Sequence, residues 1–178
     1  DVYKRQAFTR CLVGHLRGGL AQVNVAASII FAGMSGSAVA DAGGLGSVLI
    51  GPMKKDGYTA SFSAAITAAS STIGPIIPPS IPMVIFAVIA EESVGRLFLA
   101  GAVPGFLLGL LMMVMLRFLP QTRDITVYPR ASLNEFRVHL PAGILAMLMP
   151  AIILIGITAG VFTPTEAAAV AAVYATIV

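Results

Sequence analysis

Ser70-Ser71-Thr72-Ile73-Gly74-Pro75-Ile76-Ile77-Pro78-Pro79-Ser80-Ile81-Pro82 stands at the centre of residues 57–90, a run without a single charged side chain. A charge-free run of that length suits hydrocarbon, where every backbone N–H and C=O needs an internal partner. Its four prolines and one glycine remove donors and break a helical ladder. Unwound backbone at membrane depth persists only where protein wraps it or where it lines a site for something polar. The break is therefore the expected seat of function, and the expected function is transport.

The rest of the chain has the same character. Of its 178 residues, 57% are hydrophobic and 11% charged, and the mean hydropathy is +0.92. Soluble domains hold about 25% charged residues, so the composition describes an all-α polytopic membrane protein embedded in a lipid bilayer. A net charge of +3 without a basic patch interleaved with aromatics fits basic cytoplasmic loops, not nucleic-acid binding. The single cysteine, Cys11, cannot form an internal disulfide, and no His/Cys cluster suggests a transition-metal site. No short apolar core of a cleavable signal opens the chain. Residues 1–6 fit nothing downstream and are expected to be partly non-native, while the end at Val178 inside an apolar helix is expected of a fragment.

Charges divide the chain into a polar segment at 1–17 and apolar blocks at Gly18–Pro52, Gly57–Ala90, Leu97–Leu116, Leu140–Gly160 and Ala167–Val178. About 20 apolar residues cross a bilayer, so the third and fourth blocks read as single spans and the fifth as one cut short. The first block is too long for one span and too short for two with a turn. Either it crosses once and continues as a loop, or it is a re-entrant hairpin of two half-helices turning near Ser35. Positive charge arbitrates, because Lys and Arg collect on the cytoplasmic side. A crossing divides the basic residues six to five. A hairpin puts ten together and leaves Arg96 alone, or eight to one without Lys4 and Arg5. The hairpin over 18–53 is the better reading. Block two then crosses as a discontinuous transmembrane helix, and 57–116 holds it with the following span. Residues 117–140 form a cytoplasmic segment in which Leu133, Phe136 and Leu140 at helical spacing predict an interfacial helix over Ala131–Leu140. Residues 141–178 complete the chain; there Thr163-Pro164-Thr165-Glu166 fits a helix start, with Thr163 as N-cap and Glu166 closing a capping box. The alternative for Glu166 is a functional intramembrane carboxylate.

The first hairpin has its own interruption, Gly33-Met34-Ser35-Gly36-Ser37, with Asp41 one turn beyond. Glycines allow unusual backbone angles, serines supply hydroxyl oxygens, and half-helix ends present N–H groups and carbonyls. Such oxygens suit a hard monovalent cation such as Na⁺, and half-helix N-termini suit an organic carboxylate. No Arg or Lys lies between Gly18 and Met53 or within the second block, so helix dipoles, hydroxyls and a co-bound cation would hold an anion. Asp41 either tunes the site or bonds to backbone near the turn. Two blander readings compete: small residues that merely permit close packing, and prolines that merely kink. An enzymatic reading takes Gly33-Met34-Ser35-Gly36 as the G-x-S-G of an intramembrane serine hydrolase with Ser35 as nucleophile. It needs a general base, and His15 and His139 sit at the polar edges of apolar blocks. A non-transporting membrane scaffold is the third class.

Gly19-Leu20-Ala21-Gln22-Val23-Asn24-Val25, Phe31 to Ala42, Ala68 to Ser80 and Gly160 to Ala168 resemble, in order, motifs of the large membrane subunit of tripartite ATP-independent periplasmic (TRAP) transporters, the DctM-like family. The resemblance runs through nearly the whole chain. It implies part of an inverted-repeat, elevator-type secondary transporter in a bacterial or archaeal inner membrane, with no enzymatic activity and no cofactor beyond Na⁺ as coupling ion. It implies uptake of organic acids, such as C4-dicarboxylates or sialic acid, delivered by a periplasmic binding protein (DctP-like). A small membrane subunit (DctQ-like) completes the permease. The chain would cover the first repeat and stop as the second begins. Carried over by position, Ser35, Gly36, Ser37, Ser71, Thr72, Gly74 and Pro75 become candidates for binding Na⁺. Ser37, Thr72, Pro78 and Ser80 become candidates for facing substrate.

Overall fold

The computed structural model describes Thr9, residues 13–123, Ile125 and residues 133–177, without side chains for 133–139, 142, 146 and 177. The expectations for residues 1–8, Arg10, Cys11, Arg130 and Val178 fall outside the described residues. Among those described, every regular element is helical, so the chain is all-α. The elements are α1 (Gly19–Ser35), α2 (Ala38–Lys55), α3 (Ala60–Ser71), α4 (Ile81–Ile89), α5 (Val94–Phe118), a 3₁₀ turn at Pro120–Thr122, α6 (Leu133–Thr158) and α7 (Pro164–Ile177).

Each boundary has a local cause. Gly36 ends α1 in the left-handed region, at φ 56°, with its N–H donating to the carbonyl of Ala32. Ser37, Thr59, Ser80 and Ser93 then cap the starts of α2 to α5, each hydroxyl accepting from the backbone N–H three residues on. At α7 the capping box forms as the spacing predicts. The Glu166 carboxylate accepts from the Thr163 N–H at 2.8 Å, and the Glu166 N–H donates to the Thr163 hydroxyl at 3.3 Å. That closure accounts for Glu166 without a role in ion binding.

α1 and α2 form a helical hairpin whose open ends lie together. Tyr58, just past α2, donates its hydroxyl to the carbonyl of Gly18 at 2.5 Å, and Asn24 Nδ2 lies 3.5 Å from Met53 Sδ. The lower end of α5 joins them, because Gln22 Nε2 donates to the Met113 carbonyl at 2.8 Å. Arg17, Lys54, Lys55, Arg117 and Arg123 therefore gather at one end of the fold, and Arg96 sits at the other, at the start of α5. This is the division that the charge count anticipates. The arms are longer than half-helices: 17 and 18 residues at a rise of about 1.5 Å approach the depth of a hydrocarbon core. The interruption is also shorter than expected, since Gly33 to Ser35 stay helical and only Gly36 and Ser37 leave the ladder. A Cβ on Gly33 would come 2.9 Å from the Pro150 ring of α6, so this glycine serves helix packing.

Among the described residues, α5 alone is both long and apolar enough to cross a membrane, and Leu99, Val103, Phe106 and Leu110 on it are exposed. Its opposite face carries Gly101, Gly105 and Gly109, spaced at i, i+4 and i+8. These let α5 lie against the unwound segment after α3. A Cβ on Gly105 would come 2.6 Å from Ile77 Cγ1 and 3.2 Å from the Ile77 backbone nitrogen. Gly105→Ala is therefore expected to destabilise the fold by about 1–3 kcal/mol through overpacking, read as a lower thermal midpoint. The expected interfacial helix is a difference: Leu133–Leu140 is helical but continues without interruption into the apolar part of α6. Apolar packing holds the far side together, with Ile153 of α6 against Ala167 and Ala171 of α7.

Candidate functional site

The two breaks meet. Gly36 at the hairpin tip is buried against the second break, where its Cβ would lie 2.9 Å from the Pro79 carbonyl and 3.0 Å from the Ile81 nitrogen. One turn into α2, Asp41 is completely buried. Its Oδ1 accepts from the Ser35 hydroxyl at 2.5 Å. Its Oδ2 has no hydrogen-bond partner in the protein and faces Gly74, where a Cβ would be only 2.5 Å away. The Ser71 carbonyl lies 3.2 Å from that same position. The free carboxylate oxygen and a main-chain carbonyl thus converge beside Gly74, while the Ser35 hydroxyl holds the other carboxylate oxygen. An unpaired carboxylate oxygen in such surroundings is costly, and protonation, a paired charge or a bound cation relieves it.

The second break is less bare than its prolines imply. It runs from Thr72 to Ser80, and tight turns already use the carbonyls of Ser70, Ser71 and Ile73. The Pro75 carbonyl accepts from the Ser80 hydroxyl at 2.6 Å, and the same hydroxyl caps α4. Fewer main-chain oxygens are therefore left free at the break than its prolines imply.

The other predicted residues divide. Ser35, Gly36, Gly74 and Ser80 lie at the junction. Ser37 caps α2 at the tip, its N–H 3.3 Å from the Ser35 hydroxyl. Ser71 is buried, but its hydroxyl donates back to the Thr67 carbonyl. Thr72 is exposed and bonds to its own helix at Ala69, away from Asp41. Pro75 contributes the carbonyl that Ser80 binds, and Pro78 is buried beneath the tip. A cavity of about 640 Å³ opens beside the tip, lined by Met34, Ser35, Pro79, Ser80, Phe98 and Ile153 among others.

Asp41, which the sequence offers as tuning the site or bonding near the turn, lies buried between the two breaks, bonded to Ser35 and beside Gly74. Sequence reasoning missed a buried polar set on α1 and α3, namely Asn24, Ser28, Thr67 and Ser70. Their spacing of three or four residues along each helix was the available signal. The serine-hydrolase alternative gains no support: the Ser35 hydroxyl donates to Asp41, and His15 lies beyond the opposite end of α1.

Residues 6–178 match the family described as the tripartite ATP-independent periplasmic transporter, DctM component. The sialic acid TRAP transporter large permease protein SiaM of Vibrio cholerae is 49% identical over 168 residues, covering 94% of this chain and 39% of that protein. The C4-dicarboxylate TRAP transporter large permease protein DctM of Pseudomonas aeruginosa is 46% identical over 171 residues, 96% of this chain and 40% of that one. The 2,3-diketo-L-gulonate TRAP transporter large permease protein YiaN of Escherichia coli is 41% identical over 164 residues, 92% and 39% of the two. The chain spans about two fifths of the length of these relatives. All three are named as permeases, in keeping with a chain that is not an enzyme, and neither they nor the geometry favour a passive scaffold. With hairpin, break and family motifs in register over nearly its whole length, the chain belongs to the DctM-component family of tripartite ATP-independent periplasmic transporters.

Proposed function

We propose that this chain supplies one half of a Na⁺ and organic-acid site in the large permease subunit of a secondary transporter. The observation that carries the proposal is the buried, unpartnered Oδ2 of Asp41 facing Gly74 where the two breaks meet. A monovalent cation there would be held by Asp41, the Ser35 hydroxyl and the Ser71 carbonyl, with Gly36, Ser37 and Gly74 shaping the space. Thr72 is left out of this set because its hydroxyl points elsewhere. The cation supplies the positive charge that the surrounding apolar blocks lack, and an acid group bound beside it needs no guanidinium. Of the residues expected to face substrate, Ser80 lines the cavity by which such an acid would enter, whereas Ser37 caps α2 at the tip and Pro78 is buried beneath it.

Relatives named for sialic acid, C4-dicarboxylate and 2,3-diketo-L-gulonate are all named for carboxylates, which supports an organic acid as substrate. On this reading the protein is a multi-pass inner-membrane component. α1 and α2 form a re-entrant hairpin opening towards the basic, cytoplasmic end, and α3 and α4 form one broken span. The site-bearing elements move together in an elevator-type cycle. A small membrane subunit completes the permease, and a periplasmic binding protein delivers the acid.

The test uses the full-length permease with its partner proteins in proteoliposomes. Ser35→Ala is expected to raise the Na⁺ concentration for half-maximal uptake about tenfold or more, the worth of one hydrogen bond to a charged group. Ser47→Ala, on the exposed side of α2, is expected to leave it unchanged. A Ser35→Ala permease with the wild-type Na⁺ response would overturn the assignment.

A further inference from the structure

We infer that Asn24, Ser28, Thr67 and Ser70 form a buried polar clamp that holds the hairpin in register with the broken helix and thereby sets the geometry of the proposed cation site. All four are between 0% and 2% exposed. The inference rests on the cation reading above, and it concerns positioning residues, since none of the four touches Asp41.

The clamp has a definite donor order. The Thr67 hydroxyl commits its proton to the Ser63 carbonyl at 2.8 Å, so it can only accept from Asn24 Nδ2, 2.7 Å away. That fixes the Asn24 amide and turns its Oδ1 towards Ser70. The Ser28 hydroxyl donates to Ser70 Oγ at 2.8 Å. Ser70 in turn donates to the Thr67 carbonyl at 3.2 Å or to Asn24 Oδ1 at 3.4 Å. Each member thus depends on the next, and the amide has one orientation.

Position explains what such an arrangement does. Asn24 and Ser28 lie one turn apart on α1, and Ser35 follows on the same face seven residues later. Thr67, Ser70 and Gly74 repeat at three- and four-residue intervals on the other side. The clamp therefore ends just below Asp41 and Gly74. Apolar contacts between α1 and α3 are nearly indifferent to a small slide or rotation, whereas directed hydrogen bonds are not. A slip of even 1 Å between the arms would move Ser35 and Asp41 relative to Ser71 and Gly74. Asn24 gains a reason from the same contacts, because a polar side chain within an apolar helix is costly unless its partners are fixed.

The experiment measures uptake against Na⁺, with the Na⁺-induced thermal shift, in the full-length permease with its partners. Variants are Ser28→Ala, Ser70→Ala and the double. Each single change is expected to raise half-saturating Na⁺ about 3- to 10-fold, within the range for coupled neighbours, while maximal uptake stays within about twofold. The double variant should match Ser70→Ala alone, because both changes remove the same link. If Ser70→Ala does not fold, Thr67→Val, of equal volume, should give the same shift in half-saturation. Independent, multiplying effects would overturn the clamp, as would a loss of maximal uptake with unchanged Na⁺ response. Asp41→Asn separates the two claims. An intact Na⁺ response in that variant sinks the cation reading itself, while its loss alongside independent Ser28 and Ser70 effects sinks only the clamp.

Discussion

Full-length permease carrying Asp41→Asn is expected to be more heat-resistant than wild type without Na⁺, and to lose the stabilisation that Na⁺ gives. Both signs follow from one feature. Asp41 is fully buried, and only one of its carboxylate oxygens has a partner. Leaving a charged oxygen unsatisfied in apolar surroundings costs more than leaving an amide there, and the relief from the substitution is about 1–3 kcal/mol. Asparagine has nearly the same shape, and its Oδ1 can still accept from Ser35. A cation that binds only the folded wild type stabilises it by ~2.7 kcal/mol at a hundred times its dissociation constant. The variant forfeits that gain. A merely structural Asp41 would behave in the opposite way, because replacement would lower stability with and without Na⁺. Thermal midpoints measured with choline replacing Na⁺ decide between them, and a variant that is weaker without Na⁺ yet still stabilised by it would remove Asp41 from the ion site.

Much of this arrangement was legible in the residues. The interruption at Gly33 to Ser37 marks where α1 gives way to α2, and Tyr58 on Gly18 ties the far ends of the two helices together. The prolines of the second break located the unwound segment to within two residues at either end, and Thr163 with Glu166 announced a helix start. The failures share a cause, which is that they depend on what another part of the chain brings close. Gly33 looks like a turn residue until Pro150 is seen against it. The break's carbonyls looked free because the Ser80 hydroxyl, five residues away, cannot be known in advance to turn back onto Pro75. The surroundings of Asp41 are hidden for the same reason. Its distance from Ser37 along the helix is evident in sequence, but its aim at Gly74 depends on how the hairpin seats on α3.

That seating leads to the other large effect, a contrast between two buried glycines of one hairpin. Gly36→Ala is expected to destabilise the permease by about 2–5 kcal/mol and reduce uptake to a small fraction, whereas Gly46→Ala should be neutral or mildly stabilising. At Gly36 the backbone has φ 56°, a conformation costing an L side chain about 1–2 kcal/mol. The added Cβ would also press on the Pro79 carbonyl, the Ile81 nitrogen and the Ser80 Cα at 2.9 to 3.1 Å. All three are main-chain atoms, so relief requires the tip to back away from the break and to carry Asp41 away from Gly74. At Gly46 the backbone is helical and the nearest atoms are side-chain methyls of Ile50 and Thr67 at 3.4 and 3.7 Å, an ordinary contact. Alanine there also gains about 0.5–1 kcal/mol of helix preference. Because both sites are buried within this part of the chain, the remainder of the permease should not blur the comparison. Thermal midpoints and Na⁺-driven uptake of the two variants, measured side by side, test whether the tip bears on the break: equal behaviour would mean that the hairpin is free to ride away from it, and that Asp41 and Gly74 do not share a site.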